Sequence, residues 1–146
     1  MKISTKCRYG LRALIDLAEQ SGTSHVPLHQ IAERQEISLK YLEQEFAMLR
    51  KSGIVRSVKG AQGGYQLNRP PADISVADVM TILEGDTRIV SFDEQPTEMT
   101  GMRRCLTDHV WQPLNEKIHH HLSEITLADL MRSSTDHDAS EMMFYI

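Results

Sequence analysis

Cysteine is scarce in this chain of 146 residues, with two in all, and so are aromatic residues at 5%, long apolar runs and any excess of positive charge. Each shortage excludes something. Two isolated thiols build no disulfide framework and suit a reducing compartment. No run approaches the roughly 20 apolar residues that cross a bilayer. The basic start Met1-Lys2-Ile3-Ser4-Thr5-Lys6 leads into a helical segment interrupted by Arg12 and Asp16, with no apolar stretch and cleavage site. Neither a secretory signal nor a membrane partner is expected, and the chain reads as cytoplasmic. A glycine-rich phosphate loop, an HExxH pattern and a Ser or Cys beside an evident base are also missing. That leaves an enzyme reading without a site, unless Cys7 and Cys105 carry thiol chemistry.

The formal charge of −4 argues against a nucleic-acid partner only until the chain is divided at Pro70. Up to Arg69, eleven Lys and Arg meet six Asp and Glu, a net of +5, whereas the remainder carries −9. Phosphate binding depends on charge at the contact face, so a basic front half and an acidic rear half would orient the molecule on DNA. The length and an apolar content of 40% predict one compact domain with an appended element.

What is present is concentrated between Ser38 and Leu67. Ser38 is placed to cap a helix whose apolar residues Leu39, Leu42, Phe46 and Leu49 recur at helical spacing, which leaves Lys40, Tyr41, Glu43 and Gln44 on other faces. Gly53 then marks a helix end, Ile54 to Val58 alternates as a half-buried strand, and Lys59-Gly60-Ala61-Gln62-Gly63-Gly64 supplies a basic hairpin tip. Upstream, Leu28, Ile31 and Ala32 share one face of a short helix, and Glu36-Ile37 makes the turn. Two short helices, a tight turn and a following hairpin predict a winged helix-turn-helix, a mainly α fold with a small β wing. DNA contacts are expected from Ser38, Lys40, Tyr41, Glu43, Gln44, Arg50, Arg56, Lys59 and Gln62. The competing reading is a winged-helix protein-interaction module that binds no DNA.

Four parts follow along the chain. Residues 1–85 form the DNA-binding domain, with a first helix capped at Thr5 that buries Tyr9, Ala13, Leu14, Leu17 and Ala18, and a helix opened by a capping box at Ser75 and Asp78. Residues 86–104 read as a polar, aperiodic loop. In 105–131, Trp111, Leu114, Ile118 and Leu122 draw a narrow apolar seam on an otherwise polar helix, which predicts a homodimer, and Thr126 to Asp129 opens a short last helix. Pro113 requires this seam helix to begin close before it or to bend. Residues 132–146 read as a mobile polar tail with an abruptly apolar end.

Taken together, KISTK before RYGL, then SLKYLEQ, LRKSG, GGY and ITLADL resemble the Rrf-two family of winged-helix regulators, which includes the IscR, NsrR and CymR types. The resemblance runs from Met1 to about Met131. It implies a homodimer on a pseudo-palindromic double-stranded operator, with the Ser38 helix in the major groove and the tip from Lys59 to Gln62 in the minor groove. It also implies a sensor region. Iron-sulfur members carry three loop cysteines, of which only Cys105 is present here, with Asp108 where their histidine lies and His109 after it. No iron-sulfur cofactor is expected, and no metal site is assigned beyond a weak one at Cys105.

Cys7 occupies the place from which some relatives supply a ligand to the other subunit. Across a dimer, Cys7 and Cys105 would make a redox couple or half of an unusual metal site; otherwise both are inert thiols. Cys105 is expected to be the sensor thiol, since Arg103 and Arg104 beside it favour the thiolate, with Cys7 as its partner across the dimer. The loss of cluster cysteines resembles the CymR-like cysteine-metabolism repressors, so control of sulfur metabolism is expected. The end Phe144-Tyr145-Ile146 would then engage O-acetylserine thiol-lyase. Iron-sulfur or thiol redox sensing of the IscR or NsrR type is the alternative.

Overall fold

The computed structural model describes residues 2–22, 24–61, 63–92 and 100–144. Helix α1 spans Thr5–Ser21, and its cap is Ser4, whose hydroxyl accepts the Cys7 amide, so the helix starts one residue earlier than a Thr5 cap predicts. Ala13, Leu14 and Leu17 along it are fully buried, as their spacing predicts. Helix α2 (Leu28–Gln35) buries Leu28, Ile31 and Ala32. It ends at Glu36, which adopts the left-handed conformation at φ 54°. The Ile37 amide reaches back to the Ala32 carbonyl at 3.0 Å, closing a Schellman turn on a residue that is not glycine.

Helix α3 (Leu39–Lys51) is capped by Ser38, whose hydroxyl accepts the Tyr41 amide. Leu42, Phe46 and Leu49 are fully buried, whereas Leu39 at the first helical position is 40% exposed. The helix also ends on a Schellman turn, with the Gly53 amide on the Arg50 carbonyl and the Ile54 amide on the Leu49 carbonyl, each 3.0 Å. Gly53 lies at φ 79°, where a β-carbon would be strained, so glycine is the residue that fits. Strand β1 (Val55–Val58) pairs antiparallel with β2 (Gly64–Leu67), Val55 opposite Leu67 and Val58 opposite Gly64. Ile54 and Val55 are both buried and Arg56 and Ser57 both exposed, so burial follows the docking of the hairpin base rather than a strict alternation.

A third backbone segment completes the sheet. Val26 exchanges two hydrogen bonds of 2.9 Å with Tyr65, which fixes the hairpin to the chain entering α2. The close approach explains the glycine pair. A β-carbon on Gly63 would meet the Val58 carbonyl oxygen, and one on Gly64 would overlap the Val26 backbone. The Tyr65 ring then lies edge-on to Phe46 at 5.1 Å, joining β2 to α3.

Helix α4 (Val76–Glu84) opens on the expected Ser75–Asp78 capping box. Helix α5 (Gly101–Leu106) starts inside the segment read as loop, with Thr100 as its cap. It passes through a π-helical turn, Thr107–Trp111, into α6 (Gln112–Glu124) without leaving the helical region. Pro113 accounts for the wide turn, because it has no amide for the carbonyl one α-turn back. The Gln112 amide reaches Thr107 instead, and α6 begins one residue before the proline while the backbone stays helical.

Helix α7 (Leu127–Phe144) starts on a second capping box, Thr126 with Asp129. Its start is clipped to that of α4 by the Val76 amide on Ile125 and the Leu127 amide on Ile74, at 2.9 and 2.8 Å. The core therefore crosses the boundary drawn at residue 85, since Leu127 is buried among the residues of the DNA-binding unit. The last helix is also neither short nor followed by an irregular tail up to Phe144. The run from Arg132 to Met142 holds no proline or glycine and many helix-compatible residues, so a polar composition alone does not unwind it. No helix among the described residues is long and apolar enough to cross a membrane.

Candidate nucleic-acid interface

The turn between α2 and α3 is held from behind by α1. Asp16, 4% exposed, accepts two bonds from the Nε of Arg34, one of 2.7 Å from its Nη2, and one of 2.8 Å from the Gln35 amide. Arg12 donates to the Gln35 carbonyl at 2.5 Å. Four side chains of α1 and α2 thus fix where α3 starts, so the second helix is presented by a tied frame rather than by a loose turn.

Facing away from that frame, Lys40, Glu43, Gln44, Ala47, Arg50 and Lys51 of α3 are exposed. Gln44 stands four residues after Lys40 and seven before Lys51, so these three share a face with Ala47, while Glu43 and Arg50 flank it. Ala47 and Lys51 were not singled out from sequence, although the same spacing that placed Gln44 reaches them. A small side chain at the middle of such a face lets a helix approach base edges closely.

Tyr41, three residues before Gln44, stands at the edge of this face toward α1. Its ring is half-buried and edge-on to Tyr9 at 5.9 Å, with Arg12 over Tyr9 at 5.4 Å, and burial raises its hydroxyl above the ordinary range. Beside the expected base contact, the ring thus has a packing role between α3 and α1. Ser38 is exposed but committed to capping, which leaves the α3 amide terminus, rather than its hydroxyl, free for a phosphate.

On the wing, Arg56 and Lys59 are exposed. Arg56 donates to the Oε1 of Gln66 across the ladder, at 3.2 Å from Nε and 2.9 Å from Nη2, which holds its guanidinium against the opposite strand. Gln62 lies outside the described residues. The net result is that helix face and wing carry Lys40, Arg50, Lys51, Arg56 and Lys59 on one connected unit.

The expected sensor residues lie on separate elements of one chain. Cys7 is fully buried beside Val76 and Met80, with Leu122, Ile125 and Leu130 packed on them. Burial, then the charges of Glu84 and Glu45, push its thiol up to about 11. Cys105 is exposed on α5 and His109 is exposed on the π turn. At the base of the loop, Asn115 of α6 accepts the Ile89 amide at 2.8 Å and donates to the Val90 carbonyl at 3.0 Å, a clamp that sequence gave no sign of. Among the described residues, no group of three or more His, Cys, Asp or Glu side chains is arranged to hold a metal ion.

The seam residues divide. Leu122 packs inward on the Cys7 cluster. Leu114 is 38% exposed, and Val110, Leu106 and Met102 before it are exposed at 40, 44 and 78%. An apolar stripe therefore runs four residues at a time along α5, the π turn and the start of α6; Met102 was missed because its segment was read as loop, and Leu106 and Val110 because the seam was drawn from Trp111 onward. Trp111 and Ile118 are half-buried beside it. At the far end of the chain, Phe144 closes α7, and Tyr145 and Ile146 lie outside the described residues.

The Rrf2 family model, described as an iron-dependent transcriptional regulator, matches residues 3–133. The chain is 41% identical over 134 residues to the HTH-type transcriptional regulator IscR of Vibrio atlanticus, covering 92% of this chain and 77% of that protein. The solved structure of T. potens IscR superposes with a TM-score of 0.72 at 44% identity, over 92% of this chain and 88% of that one. CymR of B. subtilis, described as the global cysteine regulator, superposes with a TM-score of 0.75 at 36% identity, over 91% and 98%. A tied helix-turn-helix, an exposed polar helix face and a docked wing, in a chain this similar to transcription regulators, make a DNA-binding regulator and not an enzyme: the chain belongs to the Rrf2 family of transcriptional regulators.

Proposed function

We propose that two copies of this chain join through the long helix from Gly101 to Glu124 and read a pseudo-palindromic duplex, most simply as a repressor. The observation that carries the reading is the exposed α3 face, Lys40, Gln44, Ala47 and Lys51, set beside a wing fixed by the Val26–Tyr65 bridge. Gln44 and Glu43 read base edges in the major groove. Lys40, Arg50, Arg56 and Lys59 hold phosphate or the minor groove. Gln44→Ala is expected to cost roughly 1–3 kcal/mol on the cognate site and to relax one position, whereas Lys59→Ala weakens all sequences and lowers the salt slope. Fluorescence anisotropy on the promoter duplex and on a random duplex checks both. Equal losses on the two duplexes for both variants would remove the assignment, and no binding to either duplex by the parent would favour a protein-interaction module.

The residues present do not fit a cluster held by three loop thiolates: the chain has two cysteines, and Cys7 is buried as a neutral thiol. We therefore read the regulon as cysteine or sulfur metabolism, a reading supported by the likeness to CymR. The IscR likeness supports iron or thiol redox sensing instead, through Cys105 and His109. A visible spectrum of anaerobically purified protein separates them, since a cluster absorbs there and two thiols do not. The partner read into the last residues, O-acetylserine thiol-lyase, rests on the resemblance to CymR-type repressors and on the end Phe144-Tyr145-Ile146.

A further inference from the structure

Glu45 is the next residue after base-facing Gln44, yet it points the other way. It is 1% exposed, and both of its carboxylate oxygens lack a hydrogen-bond partner. Every other fully buried large side chain of the core is apolar. The carboxyl lies in a space that α1 leaves open: a β-carbon on Gly10 would sit 3.1 Å from Oε2 of Glu45 and overlap Leu83 of α4. Glu45 thus stands where α1, α3 and α4 meet, under the helix that carries the DNA-facing residues. The groups that face it are Lys6 and Cys7 of α1, Glu84 of α4, and Tyr41 of its own helix with Tyr9 behind. Of these only Lys6 favours a charge on it, and Glu84 is already bonded to the Ser4 amide at 2.6 Å.

A protonated carboxyl is a neutral polar group, and burying it at such a junction costs far less than burying the ion. An ionised one without a donor is expensive enough that the structure must change around it, by turning the side chain toward solvent or by drawing Lys6 inward. Either movement shifts α3 against α1, because the carboxyl fills the gap between them. Burial accordingly raises the Glu45 carboxyl from the ordinary range to about 7, with Lys6 opposing. The folded protein binds a proton there that the unfolded chain gives up near 4.5, so stability is complete below that value and is lost as pH rises toward 7.

We propose that Glu45 is a positioning residue of the DNA-reading helix whose effect depends on its proton: protonated, it seats α3 on α1 and α4, and losing the proton loosens that seat and weakens DNA binding. The inference rests on the DNA-binding reading for its consequence, but not for the titration itself.

Three measurements on the full chain test it. In a carbon-detected carboxyl titration, the Glu45 signal should move with a midpoint in the neutral range. A midpoint among the other glutamates would overturn the proposal. In urea denaturation, the parent should lose stability from pH 5 to 7 beyond any loss in Glu45→Gln, which keeps the shape without the charge. Equal pH dependence in the two proteins would overturn it. On the promoter duplex at constant ionic strength, parent affinity should fall by up to about tenfold per pH unit above 7, the limit for one linked proton, while Glu45→Gln stays level. A level parent, or a variant that keeps the parent's slope, removes the link to DNA. If neither protein binds DNA at any pH, the DNA-binding reading fails, and the titration and urea results still decide Glu45. Should Glu45→Gln not fold, the titration of the parent decides alone.

Discussion

Replacing Gly64 by alanine tests the link between the wing and the rest of the fold. A β-carbon there would fall under 3.0 Å from the carbonyl carbon and oxygen of Val26 and from the nitrogen of Pro27. All three are backbone atoms, so no side chain can turn aside, and the Val26–Tyr65 bridge has to open. Opening it removes two hydrogen bonds of 2.9 Å, each a net of about 0.5–1.5 kcal/mol. It also disturbs the edge contact of Tyr65 with Phe46, about 0.5–1.5 kcal/mol beyond its area. The expected loss is therefore roughly 2–4 kcal/mol, a large share of the roughly 5–15 kcal/mol that holds a domain folded. Urea denaturation followed by circular dichroism reads it as a lower midpoint at unchanged slope. Gly101→Ala is the matched control, because a β-carbon at the first residue of α5 meets nothing, and alanine there should be neutral or stabilise by up to about 1 kcal/mol. A Gly64→Ala protein as stable as Gly101→Ala would refute the argument that the glycine serves the close approach.

Two further perturbations address the frame and the long helix. Asp16→Ala removes the acceptor of Arg34 and Gln35 and should cost roughly 1–3 kcal/mol, toward the lower end because Arg34, 37% exposed, can return to water; an unchanged urea midpoint would show that the turn does not depend on it. Leu114→Glu should convert a dimer to monomers in sedimentation without loss of helix signal, whereas Leu122→Glu, aimed at the Cys7 cluster, should unfold the domain before it separates subunits. Dimers that survive Leu114→Glu would place the interface elsewhere.

The helix-turn-helix was legible because its signals are local. Ser38, Ser75 and Thr126 cap where a hydroxyl three residues before a free amide should, and Leu42, Phe46 and Leu49 lie inward as their period requires. What the sequence did not reveal at Tyr41 is its packing on α1. Position on a helix says which residues share a face, but not how far round the neighbouring helix reaches, and α1 covers Tyr41 through Tyr9. Glu45 was passed over for the same reason. A carboxylate in a helical repeat reads as solvated, and only the missing side chain of Gly10, thirty-odd residues away, makes room for it inside.

The long helix shows where a periodic reading fails. Trp111, Leu114, Ile118 and Leu122 suit a single seam if the helix is regular, yet Leu122 packs inward and Leu114 faces out. The π turn at Thr107–Trp111 inserts an extra residue into the winding just before Pro113, so positions before it are rotated relative to those after it. Met102, Leu106 and Val110 thereby line up with Leu114, and the inward face is left to Leu122 and Ile125. One helix then has two apolar faces: its end closes the domain over Cys7, and its beginning is the exposed surface that the proposed dimer would use. Cys105, on the exposed beginning, is consequently accessible to chemistry from which Cys7, under the end, is shielded.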